Sequence, residues 1–293
     1  MAVYERTYRR YDGALTPEVR RWLVLPRYAW RDFFRSRLFS IFFTLCFIGP
    51  LLVGVLIYVH HNLQLLKTDI PALQQFLETL VARYPIDGQV FEWLLGSGRF
   101  LAFLVVVALA PSVIAPDLRN NGLALYLSRP LSRAEYVAGK LLALLLPLSL
   151  ITWVVGLVLF LLQASLAGGG WLAANLRLGA GVLVGGLAWS VMVALFGLTV
   201  AAWVKWRPVA RIVLLICYVM PLFFAQVVKG TLGTWWGELI SLSHLITRIW
   251  QGLLGVSSHS DLPVAAAWTM LCAAGAFCTL LLFRRVRAYE VVR

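Results

Sequence analysis

Apolar residues fall into six runs long enough to cross a bilayer, and the segments between them collect most of the charge. A helix rises about 1.5 Å per residue, so about 20 apolar residues cover roughly 30 Å of hydrocarbon. The pattern predicts spans at 39–59, 100–116, 141–163, 178–204, 209–227 and 262–283. The second is short and extends backwards through Leu94 and Leu95; Pro221 interrupts the fifth, which is expected to kink or end early. The expected fold class is therefore an all-α integral membrane protein with six transmembrane helices. It divides into a segment 1–38, a six-span domain 39–283 containing a polar connection 117–140, and a basic tail 284–293.

Three polar-flanked segments carry weaker helical patterns. Residues 20–37, "RRWLVLPRYAWRDFFRSR", alternate basic and apolar groups, as in a helix lying in a membrane surface; an ordinary basic flank is the plainer alternative. In the connection after the first span, Leu73, Phe76, Leu77, Leu80 and Val81 share one helical face, which either lies on the outer leaflet or packs over the spans. Residues 229–255 have a similar character: Trp235, Trp236 and Trp250 suit an interface, and a partial re-entrant helix is the other reading.

Charge fixes an orientation. With the N-terminus in the cytoplasm, the inner segments hold 20 of the 26 Lys and Arg residues, and the whole net charge of +13 lies on that side. An even number of spans returns the C-terminus to the same side. The positive-inside rule thus accounts for a basic balance that in a soluble chain would point to nucleic acid. A polar stretch of 38 residues before the first span is unlike a cleavable signal, so that span is expected to be retained. Cys46, Cys217, Cys272 and Cys278 all sit in apolar runs without CxxC spacing and read as small hydrophobes.

The predicted span cores hold no Asp or Glu, which argues against a proton-coupled carrier. Ser149, Thr152, Gln163, Ser190, Thr199, Gln226 and Thr269 either line a polar path or bond to their own or a neighbouring helix. Gly181 and Gly185 have GxxxG spacing, which permits close helix packing within one chain or between two. No HExxH, GxSxG or GxxxxGK[ST] motif occurs, so no catalytic, metal or cofactor-binding residues are assigned, and any ATP site must be supplied by another chain. His60 and His61 read as interfacial residues rather than ligands.

The segment 120–148, "NNGLALYLSRPLSRAEYVAGKLLALLLPL", places two arginines, a glutamate and a lysine between two spans. Pro130 suits a helix boundary, Ser132 suits an N-cap, and Glu135 occupies the capping-box position three residues later. A helix is thus expected to start at Ser132 and run into the third span, exposing Arg133 and Glu135 near the turn, with Tyr136 beyond. A well-capped helix start anchored by Arg129 and Lys140 needs no partner and is the plainer reading.

The same stretch resembles the cytoplasmic connection of permease subunits in the ABC-2 exporter family: a leucine-rich segment, "LSRPLSR", an acidic-aromatic turn at Glu135 and Tyr136, and "GK" at Gly139 and Lys140. The basic helix before the first span and the six-span plan fit as well, so the resemblance covers most of the chain. It implies two permease chains, the second identical or homologous, paired with two cytoplasmic ABC ATPase subunits that hold ATP and Mg. It places the assembly in the bacterial cytoplasmic membrane, exporting or flipping a substrate. It also makes the connection between spans two and three a coupling helix, with Arg129, Pro130, Leu131, Ser132, Arg133, Glu135 and Tyr136 touching the ATPase. The long outer segment between spans one and two departs from the compact family form and points to an outer-face partner or to cargo release. A membrane scaffold without transport of its own is the alternative function.

Overall fold

The computed structural model describes residues 22–63, 71–120, 132–204, 206–258 and 260–286. Among them the secondary structure is helical throughout. In chain order the helices are α1 (Val24–Arg35), α2 (Arg37–Leu45), α3 (Ile48–Asn62), α4 (Pro71–Arg83), α5 (Gly88–Val113), α6 (Ala115–Arg119) and α7 (Arg133–Ser149). After a π-helical turn at Leu150–Val154 come α8 (Val155–Ala167), α9 (Gly169–Ala174), α10 (Leu176–Trp203) and α11 (Arg207–Leu232). A 3-10 turn at Trp235–Ile240 leads into α12 (Leu242–Leu254), and α13 (Val264–Arg285) follows.

Six helical stretches among the described residues are long and apolar enough to cross a membrane: Arg37–Asn62, Gly88–Arg119, Arg133–Ala167, Leu176–Trp203, Arg207–Leu232 and Val264–Arg285. The second reaches 32 residues. It starts well ahead of its apolar run because Asp87 caps it, the carboxylate accepting from the Gln89 N–H at 2.8 Å. The fifth does not end at Pro221; it continues to Leu232 and stops where Gly233 takes φ +62°. A proline's lost hydrogen bond is tolerated in a membrane helix where neighbouring groups and local adjustment satisfy the freed carbonyl.

The bundle is built around α5 and α10, the most buried of the spans. Small residues let these backbones approach one another, which is how helices associate where lipid is as apolar as leucine. A methyl group on Gly197 would come within 2.1 Å of Val106, and one on Gly186 within 2.6 Å of Trp153 in the π turn. Trp189, Phe103, Leu198 and Leu144 are fully enclosed. Spans one and five lie toward the outside of the bundle and add Val53, Ile57, Leu214 and Tyr218 to the core. They leave Leu51, Leu52 and Val55 of α3, and Met220, Phe223 and Val227 of α11, exposed. In water such faces would be aggregation hazards; here they meet lipid or another chain.

Hydroxyls and amides inside the bundle are satisfied locally. The Thr152 and Ser190 hydroxyls lie 2.9 Å apart, 2.7 Å from Leu148 O and 2.8 Å from Gly186 O respectively, so one donates across to the other helix while the second donates to its own. Thr199 bonds Leu195 O and Cys278 O, and Gln163 meets His61 at 3.1 Å. These groups join helices rather than line a polar path.

The segments that follow spans one and five differ. Among its described side chains helix α4 has none fully buried: Leu73 and Phe76 are exposed, and Leu77, Leu80 and Val81 are half-buried. Helix α12 folds back against α5, α10 and α13 and buries Leu245, Ile246, Ile249 and Trp250. Trp250, expected at an interface, is instead a core residue, whereas Trp236 is exposed.

Candidate functional site

The connection between spans two and three is held from both sides by one buried cluster. On its near side, α5 breaks at Ile114, just past Pro111, and the chain re-forms as α6, carrying Asp117 in its first turn. On its far side, Ser132 starts α7 with a complete capping box: its hydroxyl accepts from the Glu135 N–H at 3.2 Å, and its own N–H donates to the Glu135 carboxylate at 2.6 Å. This satisfies two of the helix's orphan donors and fixes the angle at which the chain enters it. Arg129, Pro130 and Leu131 lie outside the described residues.

One turn further along α7, Tyr136 and Lys140 converge on Asp117. The Tyr136 hydroxyl donates to Asp117 Oδ2 at 2.7 Å, and the Lys140 ammonium pairs with the same oxygen at 2.8 Å. Lys140 also donates to the Val113 carbonyl at 2.7 Å and lies 5.4 Å from the Tyr136 ring centroid. The spacing four apart puts both side chains on one face of α7. Asp117 and Lys140 keep only 16% and 11% of their side-chain surface exposed. A charge pair this buried persists because its partners are hydrogen-bonded as well.

Tyr136, expected as a surface contact with a partner, is fully buried. Its ring packs inward and its hydroxyl reaches Asp117, so it braces the elbow from within. Arg133 is exposed and Glu135 half-exposed, and on the other side of the connection Arg119 of α6 is exposed as well. An arginine in the first turn opposes the positive end of the helix dipole, a modest local cost that Glu135 offsets.

The elbow is also fastened to α1. A methyl on Gly139 would come within 2.9 Å of the Trp22 carbonyl and 2.8 Å of Leu25, and Trp30 Nε1 donates to Ala143 O at 3.0 Å. The glycine of the "GK" pair is thus a notch for α1. Helices α6, α7 and α1 are thus joined by direct contacts.

At the opposite end a second polar group ties α12 down. Arg99 of α5 donates to Ser243 O at 3.1 Å and to the Thr247 hydroxyl, and Gln251 donates to Glu92 at 2.9 Å. Arg177 donates to Gly252 O at 3.0 Å. The sequence pattern placed Glu92 and Arg99 outside the second span; the helix from Gly88 brings both inside it, and Asp87 was the available signal. Glu238 in the 3-10 turn pairs with Lys229 at 3.0 Å and accepts from Ser260. Burial pushes the Glu238 carboxyl up, but Ser260, Lys229 and His244 together hold it below its ordinary value. Burial lowers His244, with Arg99 and Lys229 adding to the effect against the opposing pull of Glu238.

Gly181 and Gly185 serve this same region. A methyl on Gly185 would meet Trp250 at 2.5 Å, and one on Gly181 would meet Leu254 at 3.1 Å. The close packing their spacing permits is taken up within the chain by α12.

The family model described as ABC-2 family transporter protein matches residues 26–284. No curated protein matches the chain.

Proposed function

The chain belongs to the ABC-2 family of transporter proteins, and from that premise we propose that it is the permease of an ATP-driven exporter worked through the elbow at residues 132–136. Permeases of this family are multi-pass components of ABC transporters that sit in the lipid bilayer, pair with an ATPase subunit, and are not themselves catalytic.

In our reading the basic end faces the cytoplasm, which the distribution of Lys and Arg supports. Two ATPase subunits, holding ATP and Mg, close on nucleotide and push against residues 129–136. A second permease chain, identical or homologous, completes the path. The observation that carries the reading is the joining of Tyr136 and Lys140 to Asp117 at the root of the connection. A loose loop would absorb a push of a few ångströms; a capped helix welded to the preceding span passes it on. The substrate contacts are then the bundle's, and the force contacts are Arg133 and Glu135.

The test is the double charge reversal Arg133→Glu with Glu135→Arg in the co-expressed complex. The expected result is loss of ATPase co-purification, or ATP turnover that no longer responds to the permease. Wild-type assembly, turnover and transport in the reversed variant would refute the elbow as the point of coupling.

A further inference from the structure

A groove of about 1070 Å³ runs along the flank of span two, between α1–α2 on one side and the start of α11 on the other. Its two ends differ. At the basic end Arg207 and Arg211 line one wall; they are four residues apart, hence on one face of α11, and both are exposed. Toward the middle of the bundle the lining includes Phe42 of α2 and Leu104 and Ala108 of α5. Two carboxylates, Asp32 and Asp117, also line it. Asp117 is neutralised by Lys140, and Asp32 offsets one of the two arginines, so the groove is net positive.

The length of the groove is informative. From Leu104 to the end of α5 at Val113 the helix rises about 14 Å at 1.5 Å per residue, and α6 continues the lining to Asp117. One leaflet contributes about half of the roughly 30 Å hydrocarbon core, with its headgroup layer beyond. A channel one leaflet long, apolar at one end and cationic at the other, has the polarity of a single phospholipid. Free anions would find the arginines but gain nothing from the apolar half, and an uncharged amphiphile would leave the arginines unmatched.

We propose that this groove binds one bilayer phospholipid with an anionic headgroup, its phosphate against Arg207 and Arg211 and an acyl chain along Leu104 and Ala108. Helix α1 forms one wall of the groove and also grips α7 at Gly139 and Ala143. A resident lipid would therefore brace the body that carries the elbow. The site itself rests on the membrane-spanning fold and not on the coupling role, so failure of one leaves the other standing.

The experiment uses the full chain, purified with its ATPase partner where one co-purifies, and placed in nanodiscs of phosphatidylglycerol or phosphatidylcholine. Retained lipid is counted by native mass spectrometry after transfer to detergent. Phosphatidylglycerol is expected to stay at one per chain, and phosphatidylcholine to wash off. Arg207→Gln with Arg211→Gln should weaken retention about thirtyfold, since each basic group near a headgroup contributes about fivefold. Leu104→Trp, which fills the apolar half and keeps both arginines, should also lose the lipid; it decides the matter alone if the arginine variant does not insert. Equal retention of both lipids, or retention unchanged in Leu104→Trp, would overturn the proposal. So would displacement of the lipid by millimolar inorganic phosphate, which would mark a free-anion site. Phe42→Cys and Leu104→Cys variants that cross-link between chains would overturn it too, by placing a second copy in the groove.

Discussion

Asp117 is the hub through which two side chains of α7 reach span two, and this makes a double-mutant cycle on Tyr136 and Lys140 informative. Tyr136→Phe removes one buried hydrogen bond to a carboxylate at 2.7 Å, which costs about 1.5–3 kcal/mol. Lys140→Met removes the 2.8 Å ion pair and the bond to Val113 O. It strands a nearly buried carboxylate, at a cost of about 3–5 kcal/mol. The two losses are not independent, because the surviving partner compensates Asp117 in each single variant and neither remains in the double. The cycle should therefore show a coupling energy of about 0.5–3 kcal/mol. Unfolding free energies read by titration with a denaturing detergent give the four corners. A triple variant that also carries Asp117→Leu should recover part of the loss, because removing the stranded charge relieves its desolvation penalty. If the two single effects add within about 0.5 kcal/mol, or if Lys140→Met is neutral, Asp117 is not the hub and the elbow is not rigidly joined to span two.

The other expectations concern the cap, the glycine pair and the outer segment. Ser132→Ala should cost about 1 kcal/mol, and Ser132→Asp should restore most of it, both visible in thermal melts of the purified protein. Gly185→Ala places a methyl 2.5 Å from Trp250 and should destabilise by about 1–3 kcal/mol; adding Trp250→Leu should relieve the clash, with a recovered melting midpoint as the readout. Glu238 has a folded value below its ordinary 4.5, so its stabilising contribution is present above pH 4.5 and is lost as pH falls through the lower folded value. His244 is also lowered, from 6.5, so the folded state binds fewer protons than the unfolded one just below pH 6.5, and stability falls there too as the pH drops. Both signs agree: acidification should raise hydrogen exchange in α12 and the 3-10 turn first, and His244→Gln should remove the upper part of that pH dependence.

The sequence by itself determined the membrane class, the six helices and the start of α7. Each rests on a local rule: run length against bilayer thickness, and a Ser-x-x-Glu cap whose partners lie within one turn of each other. The fate of particular side chains was not local. Tyr136 looked like a surface contact because nothing nearby in sequence announces that Asp117, across the connection, will accept its hydroxyl. Trp250 suited an interface by composition, yet Gly185, far away on α10, leaves the space that buries it. Glu92 and Arg99 sat outside the predicted span because apolar run length measures the cheapest part of a helix, whereas the helix itself begins at its cap on Asp87. Tertiary structure alone decided which polar groups meet, because in a lipid-facing bundle a charge is tolerated only where another helix brings its partner, and sequence separation says nothing about that distance.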